Sequence, residues 1–139
     1  MAPRILIVED NPVNLELVVA LLEAAGYEIV TAETARAGLG LAAAEQPDLI
    51  LMDVQLPGVN GYEATRQLKA DPATARIPVV ALTAHAMSEE ELRAREAGCS
   101  GYLAKPLSSQ VLLETLRRFL PGEGPANQGT KPPRDQGTE

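Results

Sequence analysis

Three short apolar runs with no polar interruption limit the architectures open to this chain: Ile5-Leu6-Ile7-Val8, Leu49-Ile50-Leu51-Met52 and Val79-Val80-Ala81-Leu82. A strand with one wet face alternates apolar and polar side chains, so runs without alternation fit strands covered on both faces, as in a parallel sheet. Residues 28–31 and 101–104 are weaker strand candidates. Helical patterns lie between them, at 13–25 with Leu15, Val18, Val19 and Leu22 on one face, and at 34–45 with Ala35, Leu39 and Ala42. The series continues with helices at 61–70, 88–97 and 108–120. Gly26 and Gly98 stand where helix C-terminal caps belong, and Ser88 with Glu91 has capping-box spacing. This (βα)5 order predicts an α/β three-layer sandwich with right-handed crossovers and helices on both faces.

A chain of 139 residues, 45% apolar, is the size of one domain and can close one core. The domain is expected over 1–120. Residues 121–139 are polar and rich in Pro and Gly, which predicts a disordered tail. An exposed terminus or linker remnant is favoured over an interaction segment, and whether the chain was cut from a longer protein stays open. Of the net charge of -7, the domain carries -6, since the tail holds three acids and two bases. Such acidity argues against nucleic-acid binding, which needs clustered Lys and Arg. The run 5–8 is too short for a signal segment or a membrane span, so no membrane partner and a cytoplasmic location are expected. Cys99 is the sole cysteine, which excludes an internal disulfide and a thiolate cluster and predicts a small core residue. His85 is the sole histidine, too few for a histidine metal site, and reads as a loop side chain near the site.

Residues that follow strands of an open parallel sheet converge in a crevice at the carboxyl edge. Here those residues are Glu9-Asp10, Asp53, Thr83 and Lys105-Pro106. Three carboxylates at neighbouring strand ends repel one another unless a cation fills the site, and hard oxygen ligands with room for water suit Mg²⁺. The bland alternative, carboxylates hydrated separately, is weakened by Lys105, whose ammonium is aimed at the acids. Without a ligand Lys105 would pair with Asp53; with a phosphoryl group there, it could pair with a phosphoryl oxygen, and Thr83 could donate to another. Metal, ammonium and hydroxyl are recurring parts of phosphoryl-transfer sites. Asp53 stands alone at the end of the most apolar strand and is the favoured nucleophile, with Glu9 and Asp10 as a metal-holding pair.

These residues together resemble the receiver domain of two-component response regulators over roughly the first 120 residues. Glu9-Asp10 matches the acidic pair, Asp53 the phosphoacceptor, Thr83 the hydroxyl position and Lys105-Pro106 the Lys-Pro step. Pro57-Gly58 and Gly61 match the loop after the phosphoacceptor. The resemblance implies a flavodoxin-like sheet of order 2-1-3-4-5. It also implies Mg²⁺-dependent transfer from a sensor histidine kinase or histidine phosphotransfer protein to Asp53, followed by self-catalysed hydrolysis. Catalysis would extend to no other substrate. The Gln55 carbonyl would join the metal ligands, and Gln55 and His85 would tune phosphoryl lifetime. Tyr102 would swing inward when Thr83 moves toward the phosphoryl group. The segment 81–87 resembles receivers of hybrid kinases and small stand-alone regulators. As the chain ends after the fifth helix and its tail, a single-domain regulator is expected, with output through binding by the helix 4, strand 5 and helix 5 face. The downstream protein is unknown, and a homodimer stays open.

Two other readings compete. A haloacid-dehalogenase-like phosphatase also uses an Asp at a strand end, yet needs a second Asp two residues on, where Gln55 stands. A phosphorylation-independent adaptor on the same fold usually lacks part of the acidic set, and this chain lacks none. Nucleotide enzymes are disfavoured because neither glycine-rich phosphate motif is present.

Overall fold

Strands and helices alternate along the chain as the apolar runs predict: β1 Arg4–Val8, α1 Pro12–Ala24, β2 Glu28–Ala32, α2 Ala35–Glu45, β3 Leu49–Asp53, α3 Gly61–Ala70, β4 Val79–Thr83, α4 Ser88–Ala97, β5 Gly101–Ala104 and α5 Ser109–Phe119. This computed structural model describes residues 2–56, 60–84, 88–105 and 107–120, excepting the Ser88 side chain. The expectations for Pro57-Gly58, His85, Pro106, the Ser88 cap and the tail 121–139 therefore lie outside the described residues. The five strands form one parallel sheet in the order β2-β1-β3-β4-β5. That is the flavodoxin-like order implied by the resemblance.

Local chemistry sets the helix starts. Asn11 caps α1 by accepting from the N–H groups of Val13 and Asn14, with Pro12 at the first helical position. The helix thus begins one residue earlier than periodicity predicts. Thr34 and Ser108 are caps, accepting from Ala37 and Val111, so α2 and α5 begin one residue later than predicted. Gly26 at φ +95° and Gly98 at φ +102° occupy the left-handed region just beyond α1 and α4, where a Cβ would be strained.

Successive strand residues point to opposite faces. Ile5, Ile7, Leu49, Leu51, Val80 and Leu82 pack with Val18 and Leu22 of α1 and Leu112 and Leu116 of α5. Leu6, Val8, Ile50, Met52 and Val79 pack on the other face with Ala35 and Ala42 of α2 and Ala64 and Leu68 of α3. Both layers are buried, which is why these strands do not alternate in sequence. Cys99 is partly buried between that second layer and a smaller cluster of Val54, Ala81 and Ala94, so it is less enclosed than a core residue. Helix anchoring is uneven. Burying a leucine contributes about 2 kcal/mol against about 0.8 kcal/mol for one methyl group. Helix α5 buries Leu112 and Leu116, whereas α4 buries Ala94 and Ala97 and leaves Leu92 52% exposed.

Candidate functional site

All five strands end at one edge, and pairing fixes what meets there. Val8 pairs with Met52, which places Glu9 beside Asp53 at the ends of β1 and β3. Asp53 pairs with Leu82 and Thr83 with Ala104, so Thr83 and Lys105 follow on the next two strands. The ladders continue past the strand ends: the Val54 N–H donates to the Leu82 carbonyl and the Lys105 N–H to the Thr83 carbonyl. One carboxylate oxygen from each of Glu9, Asp10 and Asp53 lies within 4.8 Å of the others. Glu9, Asp53 and Thr83 are buried, and Asp10 is exposed at the rim.

Lys105 Nζ lies 2.9 Å from Glu9 Oε1 and 3.2 Å from Asp53 Oδ2. The second contact is also a hydrogen bond; the first lacks hydrogen-bond geometry, so Glu9 Oε1 is buried and ion-paired without a hydrogen bond. The ammonium therefore bridges two carboxylates, where the sequence predicted a pair with Asp53. The Gln55 N–H donates to Asp53 Oδ1 at 3.0 Å, and the Asn11 N–H donates to Glu9 Oε2 at 3.1 Å. Asp53 is thus held by a fixed donor on each oxygen.

Burial pushes the Glu9 pKa up, and the neighbouring Asp53 adds to that; Lys105 and the Asn11 N–H oppose it without cancelling it. Burial alone would pull the Lys105 pKa down, and the attraction of Glu9 and Asp53 outweighs it, so the ammonium is held above its ordinary range. Three clustered carboxylates, with one ammonium paired to two of them, leave uncompensated negative charge beside a buried oxygen without a hydrogen bond. That donor set fits a hard divalent cation.

Tyr102 is half-buried on β5 and packs against Val54, Ala81 and Ala94; Gln55 is exposed next to the site. Two contributors, Asn11 and Asn60, escaped the sequence reading, and Gly61, matched there to the loop after the phosphoacceptor, has a packing role the sequence did not show. Asn11 caps α1 directly behind the acidic pair, a role its Asn-Pro step signals. Asn60 caps α3 by accepting from the Glu63 N–H. Gly61 starts α3 against the strand end, where a Cβ would stand 2.3 Å from the Asp53 carbonyl oxygen and 2.7 Å from Val54 Cα.

The response regulator receiver domain family model matches residues 5–117. The chain is 45% identical over 120 residues to the polar-differentiation response regulator DivK of Brucella ovis, spanning 86% of this chain and 98% of that protein. Among solved structures, a response regulator from Chloroflexus aurantiacus superposes with a TM-score of 0.83 at 31% identity, over 86% of this chain and 98% of that one. The receiver domain of sensor histidine kinase PA1611 from Pseudomonas aeruginosa, which has a magnesium ion coordinated in its active-site cleft, gives a TM-score of 0.80 at 37% identity over the same shares.

Proposed function

The chain belongs to the response regulator receiver family, and from that membership we propose that Asp53 accepts a phosphoryl group from a sensor histidine kinase or histidine phosphotransfer protein. The observation that carries this reading is the buried Asp53 carboxylate, held by the Gln55 N–H on one oxygen and Lys105 on the other within the acidic cluster. Two fixed donors set the rotation of the carboxylate before the donor arrives, which lowers the entropic cost of reaching in-line geometry. An Asp53 oxygen bonds to phosphorus as the phosphorus–nitrogen bond of the phosphohistidine breaks, and the imidazole leaves with that electron pair.

Mg²⁺, when bound, neutralises the negative charge of the pocket and of the phosphoryl oxygens. Asp10, Asp53, Glu9 and the Gln55 backbone carbonyl would hold it. Once the acyl phosphate has formed, Lys105 moves from Asp53 Oδ2 to a phosphoryl oxygen and the Thr83 hydroxyl donates to another. Tyr102 follows Thr83 inward, and the altered face of α4, β5 and α5 binds a downstream protein. Gln55 and His85 tune the hydrolysis that resets the protein. An apolar stripe beside the site supports donor docking along α1. On α1, Val13 is 72% and Leu17 53% exposed, and Val13 borders a groove of about 630 Å³ that Leu15 and Val19 share with the acidic Asp10, Glu16, Glu23 and Glu33.

Incubation with Mg²⁺ and acetyl phosphate, followed by intact mass, tests the reading. The wild type is expected to gain about 80 Da, the mass of one phosphoryl group. The folded Asp53→Asn variant is expected to gain nothing. No gain in the wild type, or an equal gain in both, overturns the assignment.

A further inference from the structure

Helix α4 has a thin apolar anchor. Among its described residues it buries Ala94 and Ala97, its one leucine, Leu92, is 52% exposed, and its first turn carries Glu89, Glu90 and Glu91. Tyr62 of α3 reaches that turn. Its hydroxyl donates to Glu90 Oε1 at 2.6 Å and lies 3.4 Å from the Glu90 carbonyl oxygen. The Glu90 side chain is 19% exposed, with Arg93 3.8 Å from its other oxygen. Burial, and then the adjoining Glu90 carboxylate, hold the phenol pKa far above its ordinary range, so Tyr62 remains a donor at any physiological pH.

The position of this contact gives it meaning. Helix α3 starts at Gly61, whose N–H donates to the Val54 carbonyl, directly after the strand that carries Asp53. Helix α4 starts five residues after Thr83. The Tyr62 ring also packs on the cluster of Val54, Ala81 and Ala94 that supports Tyr102. One hydrogen bond thus ties together the two helices that leave the strands bearing Asp53 and Thr83. We propose that the Tyr62–Glu90 hydrogen bond is a latch that holds α4 on α3 while Asp53 carries no phosphoryl group, and that it opens when the protein switches. This rests on the phosphoacceptor reading above. A contact made in one state only shifts the population toward that state, and its loss favours the other.

The test compares wild type with Tyr62→Phe, which keeps the ring, Glu90→Ala, and Glu90→Gln, which keeps an acceptor oxygen. Backbone amide exchange is measured without ligand, and the midpoint for beryllofluoride with Mg²⁺ is read from the Tyr102 ring signals. In Tyr62→Phe, exchange over residues 90–97 is expected to quicken about tenfold, the size of one hydrogen bond to a charged group, with α1 and α5 unchanged. The beryllofluoride midpoint is expected to fall by a similar factor. Glu90→Ala should match it, the double variant should add nothing further, and Glu90→Gln, whose neutral oxygen accepts a weaker hydrogen bond, should fall between wild type and Tyr62→Phe. Unchanged α4 exchange overturns the latch. Faster exchange with an unchanged or higher midpoint also overturns it, because the contact would then persist in both states. A wild type that ignores beryllofluoride overturns the phosphoacceptor reading and the switching role with it, while exchange still reports whether the contact anchors α4.

Discussion

Cys99 shows how burial governs a single side chain here. Its Sγ lies 3.9 Å from the Thr65 hydroxyl, and burial pushes the thiol pKa above the usual 9.0, opposed incompletely by Thr65 and Lys69. The folded protein therefore keeps this proton to higher pH than the unfolded chain does. The resulting contribution to stability is constant below pH 9.0 and declines as pH rises from there through the folded pKa. At pH 8 a disulfide reagent such as Ellman's should react with the folded protein far more slowly than with protein unfolded in urea; equal rates would show an accessible thiolate. Among single residues, Glu9, Asp10, Asp53, Thr83 and Lys105 were legible because each ends or follows a strand, and a parallel sheet gathers such positions at one edge. The bridge from Lys105 to Glu9 was not, because side-chain reach within a pocket leaves no periodic trace. His85 lies outside the described residues.

Elements carried the clearest sequence signal, since a strand buried on both faces writes its burial directly as an unbroken apolar run. Helix starts at Asn11, Thr34 and Ser108 shifted by one residue because a capping side chain outweighs the apolar period that suggests the boundary. How elements sit on one another was hidden. The seat of α3 on β3 depends on Gly61, whose missing Cβ leaves room for backbone atoms of Asp53 and Val54. Backbone cannot yield as a flexible side chain does, so Gly61→Ala should cost about 1–3 kcal/mol and slow phosphorylation by displacing Asp53. Urea melts and acetyl phosphate kinetics check this. Wild-type stability and rate would mean that α3 can move away freely.

For the molecule as a whole, alternating strands and helices predicted the three layers, and the strand order came with the family resemblance. No described helix is long and apolar enough to cross a membrane. The acidic edge should couple the whole fold to metal. Mg²⁺ at ten times its dissociation constant should stabilise the protein by about 1.4 kcal/mol. That corresponds to a rise in Tm of about 5–6 °C for a domain of this size. EDTA should reverse the rise and Asp10→Asn should abolish most of it; an undiminished rise in that variant would place the ion elsewhere. The most direct test of the central claim locates the phosphoryl group itself. Borohydride reduces an acyl phosphate of aspartate to homoserine, which peptide mass spectrometry can assign to a position. After treatment with Mg²⁺ and acetyl phosphate, homoserine is predicted at position 53 alone; reduction at Asp10 or Glu9, or none anywhere, would contradict the account.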